Sequence, residues 1–434
     1  MAVKIDWFID VGLVVLTTTA AVKDTTVASR SGFLKFYRSR VCEGVFLYLD
    51  LFLLNFKKLK ILHVGWSTSL TKTGNFIGLE NLEELSLCDC KNLKELDISI
   101  GCLQKLVHLD LIGCKQLKRL PWEMIFKLTS LQKLYLCNIH NIWEISHEVG
   151  SLVLLKQLHF DKNRFSSLPN SLCQLHQLTR IVLYQCTKLK SIPDLPPSIK
   201  ELRAIACINL VNLPSNCSEL QFLTTLQLDN CSKLGSKGFT LLLPLLPSQL
   251  RDIEAANCGS LDVTPFDSMR KAYIFPAKVF KESLTSTKGI YIGLSGEELP
   301  EWCTYRNSGN VLSFVAPLKH NDNKICGVIL CATIDKDCRY DQSHPRIYNK
   351  TKRTRHRFPG IRVIFCYTGI SPNYYNNVSK MIMFYPLNDK TLVVEASYTV
   401  VLQFRDDVSV KSCGLRWIYE DDVVDSGLVF KDAK

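Results

Sequence analysis

The sequence predicts two architectures in one chain: a solenoid of stacked α/β repeats with parallel strands on its concave face, followed by an antiparallel β-sandwich of jelly-roll or Ig-like type. Three observations carry this reading. The unit Leu-x-x-Leu-x-Leu-x-x-Cys occurs at Leu82, Leu85, Leu87 and Cys90, and again at Leu106, Leu109, Leu111 and Cys114. The same frame can be laid nine times over residues 59–258, opening at Leu59, Leu82, Leu106, Leu131, Leu155, Leu178, Ile199, Leu223 and Leu250 with spacings of 21 to 27, which is a leucine-rich-repeat period. From Tyr291 onward the period vanishes, and short apolar runs separated by Asn, Gly, Asp and Pro take its place.

The physics of the unit explains its residue types. The second and third apolar residues of each frame are two apart, so both face one side of a short strand while the residues between them turn outward. One unit cannot bury that face alone, and stacking nine of them creates a continuous apolar core. The ninth place is Cys in six units, at Cys90, Cys114, Cys186, Cys207, Cys231 and Cys258. A small side chain that donates a hydrogen bond inward suits a buried turn there. Asn163 fills the same place in the fifth unit. Ser67 and Ile139 depart from the pattern, and the Ile139 unit is expected to be loosened or shifted.

After each ninth place comes a variable return, as in KQLKRLPWEMIFKLTS and NRFSSLPNSLCQLHQ. Leu120-Pro121, Leu168-Pro169, Ile192-Pro193 and Leu213-Pro214 recur in it, where the fixed proline φ suits a turn that belongs to no ladder. The outward third, fifth and seventh places form the concave face. They include Lys133, Tyr135, His159, Asp161, Arg180, Tyr184, Glu201, Arg203 and Gln227, an aromatic and charged set suited to protein recognition as well as to simple solvation. His63, His108 and His159 also point outward, but in alternate units, so neighbouring imidazoles stand two strands, roughly 9 to 10 Å, apart. A shared metal needs each nitrogen at about 2 Å, so no metal site is expected from them.

Composition excludes several classes. At 434 residues and 47% apolar content the chain can hold at least two cored domains. Eighteen cysteines include no Cys-x-x-Cys pair, and six belong to the repeat frame, which argues against a zinc site and for free thiols in a reducing compartment. The net charge is +12, yet residues 59–262 hold 21 basic against 18 acidic side chains. Seven basic residues instead cluster from Arg346 to Arg362, including Lys350, Lys352, Arg353, Arg355 and Arg357. The expectation there is a solvated loop between strands, with a nuclear-import signal or a phosphate-contacting patch as the alternatives.

Residues 1–58 fit neither architecture. Val11 to Val22 has the length of a signal peptide, but Asp6 and Asp10 precede it and Lys4 is its only basic flank. Val45 to Phe56 is too short to span a bilayer and contains Asp50, so a degenerate repeat or an apolar cap is the better reading. The expected organisation is therefore an atypical segment or cap at 1–58, a solenoid at 59–262, a linker at 263–290, a β-sandwich at 291–422 and a tail at 423–434. The sandwich runs are 311–318, 325–334, 361–370, 381–387, 392–404 and 413–420. In the fifth of these Val394, Ala396, Tyr398, Val400, Leu402 and Phe404 share a face.

Three stretches carry a family resemblance. Residues 59–117 are similar to the early repeats of plant intracellular immune receptors of the TIR, nucleotide-binding, leucine-rich-repeat class. GEELPEWCTYRNSGNVLSF (296–314) resembles the opening, and VKSCGLRWIYEDD (410–422) the closing motif, of that class's post-repeat jelly-roll/Ig-like domain, with Leu299 and Cys303 in place of the commoner Ile and aromatic. No Gly-x-x-x-x-Gly-Lys-[Ser/Thr] phosphate loop is present, and residues 1–58 leave no room for a TIR domain with its NAD-cleaving glutamate.

The resemblance implies a non-catalytic sensing part without cofactor, binding a pathogen effector or another immune-receptor component in the cytoplasm or nucleus. Other readings are a secreted or surface repeat protein, using sequons such as Asn349 and Asn377, a fragment linked to TIR NAD hydrolysis by kinship alone, and a nucleic-acid binder acting through Arg346 to Arg362.

Overall fold

The computed structural model describes residues 3–8, 13–18, 33–37, 59–68, 70–234, 247, 249–255, 258, 290–294, 298–299, 303–315, 325–334, 346–349, 354–357, 380–386, 399–403, 410–419, 423–424 and 427–428. It divides into two compact units, Met1–Asn216 and Cys217–Lys434.

In the first unit, β1 (Val3–Phe8) and β2 (Leu13–Thr18) form an antiparallel hairpin, so much of the apolar stretch of signal-peptide length is a strand. Next come β3 (Phe33–Tyr37) and the repeat strands β4 (Ile61–Gly65), β5 (Glu84–Ser86), β6 (His108–Asp110), β7 (Lys133–Tyr135), β8 (Gln157–His159), β9 (Arg180–Val182) and β10 (Glu201–Arg203). Every neighbouring pair from β3 to β10 is parallel. β3 adds in parallel to β4 ahead of the first regular repeat. Residues 45–56 lie outside the described residues.

Register follows the leucines. Leu62, Leu85, Leu109, Leu134, Leu158, Ile181 and Leu202 occupy the fourth place of successive frames, face each other across the ladder and are fully buried. Each such burial contributes about 1.5–3 kcal/mol, and it exists only because the adjacent unit covers the side chain. The returns are short, as their prolines suggested. They comprise 3-10 turns at Ile98–Cys102, His147–Ser151 and Asn170–Gln174, and a single α-helical turn at Trp122–Ile125 that begins after Pro121.

The turn after each strand is built by two consecutive residues. The eighth place is left-handed in Trp66, Asp89, Gly113, Asn138, Lys162, Gln185, Ala206 and, in the second unit, Asn230, with φ between 55° and 74°. It aims the ninth side chain inward, where the cysteine thiol donates to the sixth-place carbonyl of the preceding unit. Cys90 reaches Val64 O at 2.9 Å, Cys114 Leu87 O at 3.2 Å, Cys186 Phe160 O at 3.2 Å and Cys207 Leu183 O at 3.0 Å. Asn163 Nδ2 donates to Leu136 O at 2.7 Å and to Phe160 O at 2.9 Å.

The expectation of a loosened Ile139 unit is not met. Asn138 keeps the left-handed turn, Ile139 is 1% exposed, and its amide donates to Asn163 Oδ1 at 3.0 Å. Asn163 of the next unit thus accepts from the Ile139 amide while donating to Leu136 O, which ties the two turns together.

In the second unit, β11 (Thr225–Gln227) and β12 (Asp252–Glu254) are repeat strands in parallel register. Parallel to β12 runs β13 (Ile290–Leu294), and antiparallel strands follow it in space: β19 (Lys380–Pro386), β16 (Ile325–Ile334), β21 (Val410–Tyr419) and β14 (Tyr305–Ser308). A second antiparallel sheet has the order β15 (Val311–Val315), β20 (Thr399–Gln403), β17 (Arg346–Asn349), β18 (Thr354–Arg357). Phe314 of β15 meets Tyr305 and Trp417 of the first sheet with ring centroids 5.0 and 5.9 Å away. Near the C-terminus, β22 (Val423–Val424) and β23 (Gly427–Leu428) pair antiparallel. Residues 263–289, the apolar run 361–370 and the proposed face from Val394 to Tyr398 lie outside the described residues.

Two substitutions test the turn. Asn163→Ala leaves Leu136 O and the Ile139 amide short of partners, and is expected to cost about 3 kcal/mol, read as a lower melting midpoint. Gly113→Ala places a Cβ 2.5 Å from Asp89 Oδ1 and 3.3 Å from its Cα at φ +74°; a loss of about 1–3 kcal/mol in chemical denaturation is expected.

Candidate functional site

The parallel register converts the frame into rows of side chains. Third and fifth places project from the strand face, so Lys133, Gln157, Arg180 and Glu201 line up along one row and Tyr135, His159, Val182 and Arg203 along the next. Lys133 is exposed and Tyr135, Arg180, Glu201 and Arg203 are half-buried.

Glu201 organises the charged end of these rows. Its Oε1 accepts from Arg180 Nη2 at 2.8 Å and its Oε2 from Arg203 Nη2 at 3.2 Å, so one carboxylate bridges two guanidinium groups on adjacent strands. Half-burial shields this pairing from solvent and fixes both arginines. At the other end Tyr135 stands between two imidazoles, with centroid distances of 4.8 Å to His108 and 4.3 Å to His159, and its hydroxyl donates to Gln157 Oε1 at 2.7 Å. Burial, the largest cause, holds His108 down at about 4 and His159 at about 3; Lys133 and His63 add to it for the first, Arg180, Arg203 and His108 for the second. Both rings are neutral at physiological pH, and the aromatic cluster carries no switchable charge there.

The seventh place differs from expectation. Asp161 is 2% and Tyr184 7% exposed, because the chain is already entering the left-handed turn and these side chains lie against the next unit. Asp161 Oδ1 accepts the Tyr184 amide at 2.8 Å, and Cys137 Sγ, 2% exposed, donates to Asp161 Oδ2 at 3.5 Å. Burial lifts the Asp161 carboxyl to about 6 against the lowering effect of that amide. Lys162 Nζ sits 5.8 Å from the Tyr184 ring centroid. In the second unit Gln227 is buried on β11 at 3% exposure.

The histidines do not share a centre, since β5 separates His63 from His108 and β7 separates His108 from His159. His159 instead meets Cys137 and Asp161, and one ligand atom from each lies within 4.8 Å of the other two. Looking for like residues missed this mixed set. The signal present in the sequence is a fifth-place His and seventh-place Asp following a seventh-place Cys one unit earlier.

Three members of the basic cluster lie on strands rather than in the expected loop: Arg346 on β17 stands opposite Arg357 on β18, and Tyr348 opposite Arg355. Alternation of charged with apolar or polar residues, RIYN and TRHR, is the strand signal that the charge count obscured. Lys350, Lys352 and Arg353 lie outside the described residues.

Comparison with known proteins places this geometry in a biological setting. Residues 294–424 match the C-JID domain family. TMV resistance protein N of Nicotiana glutinosa is 29% identical over 197 residues, 45% of this chain and 14% of that protein. Disease resistance protein RPS4B of Arabidopsis thaliana is 26% identical over 328 residues, 66% of this chain and 26% of that protein. The chain thus spans only a minor part of the length of these relatives. Among solved structures, the leucine-rich repeat domain of the type III effector XopL aligns with a TM-score of 0.42 at 23% identity, covering 48% of this chain and 72% of that one. With its leucine-rich repeats and C-JID domain, the chain is a homologue of plant TIR, nucleotide-binding, leucine-rich-repeat disease resistance proteins and corresponds to the C-terminal region of such a receptor.

Proposed function

We propose that the chain is a non-catalytic protein-recognition module of a plant intracellular immune receptor, sensing a pathogen effector or a partner receptor component. Homology to plant disease resistance proteins supports the role in immunity. The observation that carries the recognition reading is the pair of rows on β7 to β10. A rigid parallel sheet there presents Lys133, Tyr135 and the Arg180–Glu201–Arg203 bridge together. Aromatic and arginine side chains held in place before binding lose little entropy on contact, which is what concentrates affinity in a few residues. His159, Asp161 and Tyr184 belong to this reading as the buried support behind the contacts, and Gln227 is a further concave-face position on β11. In the C-terminal part, two antiparallel sheets joined through Phe314 are compatible with a jelly-roll sandwich whose loops add to the surface.

The proposed setting is the cytoplasm, with the nucleus as a second location. The described cysteines are free thiols, Cys102 and Cys173 among them at the surface, in keeping with a reducing compartment. Among the described residues no helix is long and apolar enough to cross a membrane.

The test is proximity labelling by the full chain in plant tissue, wild type beside a Lys133→Glu/Tyr135→Ala double variant of equal expression. Enrichment of an effector or immune-receptor component is expected to fall at least about tenfold in the variant. An unchanged set of neighbours would place recognition elsewhere, and NAD turnover by the purified chain would overturn the non-catalytic reading.

A further inference from the structure

We propose that Cys137, His159 and Asp161 form a binding site for a soft divalent transition metal, zinc being the best fit, built between the β7 and β8 units. The donor atoms come from three positions that the repeat geometry forces together. Tyr135 and His159 are register partners, and two residues later the Asn138 amide donates to Asp161 O at 2.6 Å, so the stretches carrying Cys137 and Asp161 remain side by side past the strand ends. A thiol sulfur, an imidazole nitrogen and a carboxylate oxygen then lie within 4.8 Å of one another. A tetrahedral zinc at about 2.0–2.3 Å from each donor needs them to draw together by about 1 Å, a side-chain adjustment rather than a backbone one.

Two features distinguish this group from an incidental polar contact. His159 is 8% exposed, and its Nε2, like that of His108, is buried without a hydrogen-bond partner, but among the described residues His159 alone also has a thiol and a carboxylate beside it. The carboxylate is also prepositioned, because the Tyr184 amide occupies Oδ1 at 2.8 Å and leaves Oδ2 beside the Cys137 sulfur. Such an outer hydrogen bond orients a ligand before metal arrives.

Charge and softness decide the class of ion. Loss of the Cys137 thiol proton to solvent, followed by bonds from S⁻, the neutral imidazole and the carboxylate, gives a site of zero net charge around M²⁺. That balance suits a buried place. It also answers the nearby cations, since Arg180 and Arg203 are engaged by Glu201. Thiolate and imidazole select zinc-like ions over calcium or magnesium. The three protein donors leave a fourth position for water on the strand-lined face.

The test uses the purified full chain, stripped with chelator and titrated with Co²⁺ as a spectroscopic stand-in for zinc. One equivalent is expected to produce a near-ultraviolet thiolate-to-cobalt charge-transfer band that zinc abolishes. Cys137→Ser is expected to remove the band, and His159→Gln to weaken cobalt affinity more than about a hundredfold, beyond what loss of an outer-sphere contact causes. Cys102→Ser, which removes an exposed thiol, is expected to leave both unchanged. The site is refuted if wild type gives no band at one equivalent, if the band survives in Cys137→Ser, or if affinity is unaltered in His159→Gln. Because His159→Gln changes a strand-face residue, it decides the matter even where Cys137→Ser does not fold.

Discussion

The hydrogen bond from a cysteine or asparagine at the ninth place to the sixth-place carbonyl of the frame before it is the constraint on which the repeat structure rests. A parallel strand of three residues leaves backbone groups unpaired at its end, and burying a bare carbonyl there costs about 1–3 kcal/mol. Cys90, Cys114, Cys186 and Cys207 meet that requirement with a thiol, Asn163 with an amide. The left-handed eighth residue makes it geometrically possible. Several units place a residue other than glycine or asparagine there, Trp66, Lys162, Gln185 and Ala206 among them, which means the stack tolerates local strain for the sake of the inward donor.

The third- and fifth-place rows inherit their order from this turn. Because every unit leaves its strand at the same place, third and fifth residues of successive units stand one strand spacing apart and form the Arg180–Glu201–Arg203 bridge and the His108–Tyr135–His159 row. The seventh residues Cys137, Asp161 and Tyr184 are buried instead, although they alternate in sequence with surface ones.

Most of this was legible in the leucine frame, where each of the nine openings precedes an observed strand by two residues, because burial acts on side chains and side chains are what a sequence states. What the frame did not disclose depends on backbone or on neighbours. Lys162 and Gln185 give no sign of a positive φ, which the chain around them imposes. Ile139 looked like a defect because its amide's partner, Asn163, lies a full unit away. Burial of Asp161 likewise depends on the unit after it. Arg346 and Arg357 were read as charges in a loop, although the alternation around them marks strands.

The strand β13 has a further consequence. It pairs with β12 in parallel on one side and with β19 antiparallel on the other. A stack of parallel strands ends in a row of unsatisfied amides and carbonyls, a template for adhesion between molecules. Here that row is occupied by a strand whose own far side is already engaged. The C-terminal sheet thereby closes the edge that the repeat strand β12 would otherwise present.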